Sequence, residues 1–297
     1  MKFPNLSGND GRRAVIVISS HVVRGSVGNR AVVFALEALG LPVWAVPTVI
    51  LPWHPGHSRA TRILPPAEDF SALIADLCQA PWLGEVGAVL SGYLGTPGQA
   101  AEVARLVEAV RGLNPDALYL CDPVMGDGGN LYVAEEVANA IRDRLIPLAD
   151  IATPNVFELG WLSGAEIKDT SSLIAAAQML GPARVLVTSA FAMMSGNTGN
   201  LLVGGSESVM AEHRIIANPP KGLGDLLSAI FLARTLEGTN GERALQLATG
   251  SVFEILARTA KRGADELTLE TDVESLRTPM ALVHMRKIVT AAGRKPG

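Results

Sequence analysis

Asn218-Pro219-Pro220-Lys221-Gly222-Leu223-Gly224-Asp225 runs directly into the apolar stretch Leu226-Leu227-Ser228-Ala229-Ile230-Phe231-Leu232-Ala233. The prolines end whatever precedes them, and the Gly-x-Gly-Asp turn opens a helix. Glycines at 222 and 224 permit a tight turn and a close approach of backbone N–H groups to a ligand. The first turn of the helix adds unpaired N–H donors and the positive end of the dipole, which together form an anion site suited to phosphate. Asp225 stands inside that cradle. Its carboxylate reads in two ways, as an ordinary helix cap or as a base for a hydroxyl that attacks phosphorus.

Working outward, strand-like and helix-like segments alternate along the chain. Apolar runs at residues 14–18, 43–49, 86–90, 117–121, 149–152 and 185–188 read as buried strands. Residues 28–39, 71–78, 99–110, 135–145, 157–162 and 171–180 carry helical spacing, with Gly40 stopping the first. Residues 201–203 and 209–215, separated by a Gly-rich turn, read as an antiparallel pair, and residues 225–236 and 242–260 as two long helices. This alternation predicts an α/β fold with a central, mostly parallel sheet covered by helices on both faces. The organisation expected is a loose arm over residues 1–13, a single domain over residues 14–288 with a small flap within residues 47–66, and a solvated tail holding Arg286-Lys287 and Arg294-Lys295. In such sheets ligands bind beyond the carboxyl ends of the strands. Ser20-His21, Ser91-Gly92-Tyr93, Asp122, Thr153-Pro154-Asn155 and Thr188-Ser189 all fall at such ends.

The chain has 297 residues, nearly half of them apolar, and a formal net charge of −4. No basic run with interleaved aromatics is present, which argues against nucleic acid as a partner. No stretch approaches the ~18 consecutive apolar residues of a membrane span. Two cysteines, Cys78 and Cys121, make no disulfide framework and fit a cytoplasmic location. Gly-x-x-x-x-Gly-Lys-Ser/Thr is absent, and Gly25-Ser26-Val27-Gly28 lacks the full dinucleotide fingerprint. His54-Pro55-Gly56-His57 reads as a loop rather than a metal pair, since no third ligand accompanies it.

Two further constellations carry chemistry. In Cys121-Asp122-Pro123-Val124-Met125-Gly126-Asp127-Gly128-Gly129 a strand delivers Asp122 to the sheet edge and a Gly-rich loop presents Asp127. Paired carboxylates beside a phosphate site suit a hydrated divalent cation, and an Asp-rich turn accounts for the same residues. In Thr153-Pro154-Asn155-Val156-Phe157-Glu158, Asn155 and Glu158 have the spacing of a capping box.

Taken together, these motifs resemble the pyridoxal kinase family of the ribokinase-like kinases. Ser20-His21-Val22-Val23 with Gly28-Asn29-Arg30-Ala31 resembles its opening strand-to-helix signature, and Leu90-Ser91-Gly92-Tyr93-Leu94-Gly95 its next strand edge. The Cys121–Asp127 and Thr153–Glu158 motifs, Val187-Thr188-Ser189 and Gly222-Leu223-Gly224-Asp225 follow in the family's order. The resemblance implies phosphoryl transfer from ATP to the 5′-hydroxyl of pyridoxal, extending to pyridoxine and pyridoxamine. It implies Mg²⁺, with a monovalent cation such as K⁺ assisting, and a homodimer. By the same resemblance Asp225 is the base, and Gly222, Leu223 and Gly224 form the anion hole. Asp122, Asp127 and Glu158 serve the metal. Asn155, Thr188, Ser189 and Lys221, with the two glycines, serve the nucleotide, and Ser20, Val27, His54 and Tyr93 surround the vitamin ring. Cys121, next to Asp122, has two readings: a buried filler, or a thiol that adds reversibly to the pyridoxal aldehyde.

The sequence departs from the family at the flap, where Leu51-Pro52-Trp53-His54-Pro55 replaces a Phe-x-Asn-His-Thr-like segment, and at Leu223, where the family often has Thr. Backbone donors do not depend on the side chain at 223. The alternatives are a hydroxymethylpyrimidine kinase or other ribokinase-like small-alcohol kinase, and a vitamer-binding carrier or regulator of little turnover.

Overall fold

The structure, a computed structural model, describes residues 13–204 and 207–288. Residues 1–12 of the expected arm, and the expected tail over residues 289–297 with Arg294-Lys295, lie outside the described residues.

Nine strands form one sheet, and a short hairpin stands apart from it. In chain order the main-sheet strands are β1 (Ala14–Val22), β2 (Val43–Leu51), β3 (Val86–Ser91), β4 (Leu118–Cys121), β7 (Ile151–Ala152), β8 (Arg184–Ala190), β9 (Asn197–Gly204), β10 (Glu207–Arg214) and β11 (His284–Ile288). The hairpin is β5 (Gly126–Asp127) with β6 (Asn130–Leu131). The sheet order is β11-β10-β9-β8-β7-β4-β3-β1-β2. The six strands from β8 to β2 run parallel, as the strand–helix alternation predicts, while β9, β10 and β11 continue antiparallel.

Parallel strands are buried on both faces, and the residues of β1 divide accordingly. Val15 and Val17 pack with α1 (Asn29–Ala38), α7 (Leu223–Leu236) and α8 (Gly241–Arg262). Ile16 and Ile18 pack on the other face with α2 (Ala67–Cys78), α3 (Pro97–Leu113) and α4 (Glu135–Ala140). A third cluster joins α5 (Val156–Ser163) and α6 (Thr170–Met179) to Val185, Val187, Leu201 and Val203. The interior is therefore two apolar layers with the sheet between them, and the parallel strands present their carboxyl ends at one edge.

Three elements differ from the sequence reading. β1 continues past residue 18 through Ser19, Ser20 and His21, whose polar side chains resemble a strand end; the pairing with β2 shifts register between Ser19 and His21, and such a shift re-aims the side chains there. β2 runs two residues beyond the expected 43–49, to Leu51, and keeps Pro47 within it, because at the sheet edge a missing N–H costs no ladder bond. Arg286 and Lys287 are not a solvated tail: they belong to β11, which closes the other edge by pairing with β10.

The chain after α8 is fastened by buried carboxylates. Glu254 accepts from the N–H groups of Met280 (2.6 Å) and Ala281 (3.0 Å), from Ser275 Oγ (2.9 Å) and from Arg258 (2.6 Å). Asp272, in the turn before α9 (Val273–Arg277), takes a two-pronged contact from Arg262 at 2.5 and 2.8 Å. Glu254→Ala leaves several donors without a partner and is expected to lower stability by about 2 kcal/mol. Urea denaturation checks this, with the midpoint falling at unchanged slope.

Candidate active site

The surroundings of Asp225 answer the first question the sequence leaves open. α7 is capped by Gly222, in the left-handed region at φ +95°, and no side chain caps the helix. Asp225 therefore does not cap its own helix. Its carboxylate accepts instead from the N–H of Gly28, across the cleft at the start of α1. Burial pushes its pKa up to about 6 against that stabilising hydrogen bond. Leu226 N–H reaches the Gly222 carbonyl at 3.0 Å, so the first helical hydrogen bond closes there. The N–H groups of Leu223, Gly224 and Asp225 precede it, in the first turn, where a helix has no intrahelical partner for its donors.

The two glycines of this turn do different work. A Cβ on Gly222 would stand 2.1 Å from the Ser26 carbonyl oxygen, so the turn packs directly on the backbone of residues 26–27. A Cβ on Gly224 would meet nothing within 4 Å. Gly222 holds the architecture, and Gly224 keeps the space in front of the helix start open. Gly28 is pressed just as closely on Ser20, whose Oγ lies 2.4 Å from the position of a Cβ.

Beside Asp225 lie two more carboxylates. Asp122, at the end of β4, is 6% exposed and lies 3.2 Å from Ser228 Oγ on α7, whose hydroxyl is also 2.9 Å from Thr153 Oγ1, so the three groups form one hydrogen-bonded cluster. Burial holds the Asp122 carboxyl well above its usual range, and the charges of Asp225 and Glu158 push the same way. Glu158, 3% exposed on α5, completes a capping box with Asn155: Asn155 Oδ1 accepts from Glu158 N–H and Glu158 Oε2 from Asn155 N–H, both at 2.9 Å. Glu158 does more than cap. Its Oε1 also accepts from Met125 N–H (3.0 Å) and Gly126 N–H (3.3 Å), which ties the β5–β6 hairpin to α5. Burial nevertheless raises it to about 7. Asp127 is exposed on the hairpin and accepts from Gly128 N–H at 2.7 Å.

Among the described residues no three of His, Cys, Asp and Glu converge into a closed metal cage. Two buried carboxylates beside an open helix start still suit a hydrated hard cation, which keeps several waters and takes further ligands from phosphate.

Asn155 donates to the Gly126 carbonyl at 2.8 Å and bridges to Thr188. Ser189 follows in the left-handed region at φ +52°, where the β8–β9 register breaks. A non-glycine residue held there marks local strain of the kind that clusters at ligand sites. On the opposite side of the cleft, Val27 is buried with Val22, Val49 and Leu51, and Tyr93 packs against this small apolar group. His54 Nδ1 accepts from Gly56 N–H at 2.9 Å, and its pKa is lowered by burial and then by Lys221. The predicted residues thus fall into a polar half and a small apolar half.

Cys121 does not join either half. It is fully buried in the core with its neighbours Met125 and Tyr119, and burial pushes its thiol up to about 12. The thiol-addition reading falls on both counts, since the side chain faces the core and holds its proton.

Sequence reading missed Ser228 and the Gly28 N–H. Ser228, three residues after Asp225 in an otherwise apolar helix face, is a signal open to reading. The Gly28 N–H leaves no trace in a sequence.

The phosphomethylpyrimidine kinase family profile matches residues 73–270. A pyridoxal kinase PdxY of Rubrobacter xylanophilus is 38% identical over 281 residues, covering 92% of this chain and 97% of that protein. A pyridoxal kinase PdxY of Granulibacter bethesdensis is 34% identical, covering 89% and 96%. The solved pyridoxal kinase of Leishmania donovani in complex with ADP and pyridoxamine superposes with a TM-score of 0.87 at 30% identity, over 93% of this chain and 99% of that one.

Substitutions at the two glycines should separate architecture from function. Gly222→Ala adds a methyl group where only 2.1 Å is free, at positive φ, and should cost at least about 2 kcal/mol of stability. A Cβ at Gly224 meets nothing within 4 Å, so Gly224→Val should leave thermal unfolding close to wild type. Turnover should nevertheless fall about 10²-fold as the branched side chain fills the cradle. Calorimetry and steady-state rates on both variants check the split.

Proposed function

The chain belongs to the pyridoxal kinase family of ribokinase-like kinases, and we propose that it phosphorylates the 5′-hydroxyl of pyridoxal with ATP, extending to pyridoxine and pyridoxamine. The carrying observation is the pairing of a desolvated carboxylate, Asp225, with an uncrowded helix start. As the substrate oxygen attacks the γ-phosphorus, Asp225 takes the hydroxyl proton. The bond from that phosphorus to the bridging oxygen breaks, and ADP leaves. The N–H groups of Leu223 and Gly224 meet the charge on the transferring group, a preorganised stabilisation that needs no rearrangement. Lys221, exposed at the same turn, adds a positive charge beside the phosphates, and Asn155, Thr188 and Ser189 line the nucleotide side. Ser20, Val27, His54 and Tyr93 form the ring side, with the apolar group around Val27 as the wall for a flat heterocycle.

Asp122 and Glu158, with Asp127 at the rim, would hold Mg²⁺ largely through water, and the ion would neutralise phosphate charge. Like-charge crowding at Asp122 supports this, because a cation offsets it. K⁺ is proposed from the family resemblance alone. A homodimer is supported by β2, an edge strand whose outer face a second copy would cover. Among the described residues no helix is long and apolar enough to cross a membrane. A cytoplasmic site of action is supported by Cys78 and Cys121, which are both free thiols.

ADP release measured with pyridoxal, pyridoxine, pyridoxamine and hydroxymethylpyrimidine tests the reading. Pyridoxal should give the highest kcat/KM, and a clear preference for the pyrimidine would transfer the assignment. Asp225→Asn should fold normally and lose about 10²- to 10⁴-fold in kcat. Wild-type kcat/KM should fall as the pH drops below about 6, where Asp225 gains its proton.

The same carboxyl bears on stability. Its folded pKa, about 6, lies above the unfolded value, so the native state binds the extra proton between about pH 4 and 6. That proton's contribution is full at low pH and lost as the pH rises through 6. Asp225→Asn should therefore be more stable than wild type at pH 8, by about 1–3 kcal/mol, with the gain vanishing near pH 4. Urea midpoints at the two pH values decide it. Cys121→Ser should shift the dissociation constants of pyridoxal and pyridoxine equally, because the buried thiol reaches no aldehyde.

A further inference from the structure

Residues 52–62 form a flap between β2 and the isolated bridge that pairs Ile50 with Ile63. Its base is pinned at both ends. Arg24 N–H donates to the Pro52 carbonyl at 2.9 Å, and Arg62 donates to the Gly95 carbonyl at 3.3 Å and lies 5.5 Å above the Tyr93 ring. The tip folds compactly on His54, whose carbonyl accepts from His57 N–H at 3.0 Å and whose Nδ1 accepts from Gly56 N–H. From this tip His57 Nε2 reaches Glu266 Oε1 at 2.6 Å, a partner 209 residues away in the segment after α8.

Glu266 is built into the body. Its side chain is 13% exposed, Oε2 accepts from Ser26 N–H at 3.4 Å, and Arg24 Nη1 lies 3.7 Å from Oε1. Arg24 is itself held by Asp265 with two contacts of 2.8 Å. Ser26 Oγ donates to the Leu267 carbonyl at 3.0 Å. Gly25 has φ +108°, and a Cβ there would stand 2.5 Å from Glu266 Oε1, so the loop leaves room for this carboxylate and for no side chain of its own. One carboxylate thus joins the flap tip to the loop over residues 25–28, and that loop supplies both Val27 and the N–H that Asp225 accepts.

We infer that Glu266 is a positioning residue: through His57 it latches the flap over the ring side of the cleft, and through Ser26 it fixes the loop that faces Asp225. The inference rests on the proposed pyridoxal kinase reading for its substrate and on the contacts above for the latch. Glu266 touches no reacting atom. Through His57 its effect falls on capture of the ring, and α5 and the end of β8, on the nucleotide side, make no contact with it.

Two readouts test the latch. Arg59 and Arg62 sit on the flap, so trypsin cleavage after them reports its release. His57→Ala changes only the flap side, Glu266→Ala the body side, and the double variant both. His57→Ala should be cut several-fold faster than wild type at unchanged melting temperature, and its KM for pyridoxal should rise about tenfold while the KM for ATP stays within about twofold. Glu266→Ala should match or exceed this, and the double variant should add nothing to Glu266→Ala, as expected for one shared interaction. Trypsin cleavage of His57→Ala at the wild-type rate would overturn the latch, as would fully additive effects in the double variant. Faster cleavage with an unchanged pyridoxal KM would overturn its role in ring capture. If wild-type protein fails to phosphorylate pyridoxal, the kinase reading fails on its own, and the proteolysis series still decides the latch.

Discussion

Three carboxylates, those of Asp122, Glu158 and Asp225, share one desolvated cleft at the carboxyl ends of the parallel strands, and each is held above its ordinary pKa chiefly by burial. Such an arrangement opposes folding and persists only where the rest of the chain fixes it. The fixing is visible group by group. Glu158 is spanned by three backbone N–H donors, Asp122 is met by Ser228, and Asp225 by the Gly28 N–H. The donors come from four separate elements, so the sheet order and the acid cluster are one constraint seen from two sides. Positive charge brought close to the cluster would relieve it, and the rest of the fold offsets the cost of keeping it desolvated.

Close backbone packing delivers the geometry. Gly222 lies on the Ser26 carbonyl and Gly28 on the Ser20 carbonyl, at separations that exclude any side chain. The starts of α1 and α7 are thereby held face to face, and the first presents its N–H to the carboxylate carried by the second. Each contact meets a backbone carbonyl first. The phosphate half of the site is therefore a property of the backbone path. The N–H groups at the start of α7 therefore do not depend on which side chain stands at Leu223.

Much of this architecture is legible in the amino-acid sequence. Alternating apolar runs fix the six parallel strands, since a strand buried on both faces leaves a continuous apolar signature. Polar residues just after those runs mark the cleft, because a parallel sheet brings its carboxyl ends to one edge. The misses have physical causes. β11 carries His284, Arg286 and Lys287, and as an edge strand it has no need of a two-sided apolar pattern. The β5–β6 hairpin has only two residues in each strand and is held by Glu158 from another element. Of the two readings of Cys121 the buried filler holds, because alternate residues of a strand face opposite ways and Cys121, next to Asp122, faces the core. Ser228 and Glu266 act at long range in sequence, and no local pattern announces a partner 106 or 209 residues away.

The two halves of the cleft consequently rest on different kinds of support. The phosphate side is held by glycine contacts, strand ends and helix starts, all of which follow from the path of the chain. The ring side is closed by a loop whose own hydrogen bonds are local, such as Trp53 Nε1 to the Ser58 carbonyl at 3.1 Å, and whose tip meets the body through the side chains of His57 and Glu266. Side-chain ties of that sort can be replaced in a few substitutions without altering the fold. The sequence departs from its family at residues 51–55, on the flap, and keeps the Gly-x-Gly-Asp turn intact. That is the division expected when phosphoryl transfer is written into the backbone and the choice of alcohol is written into a loop.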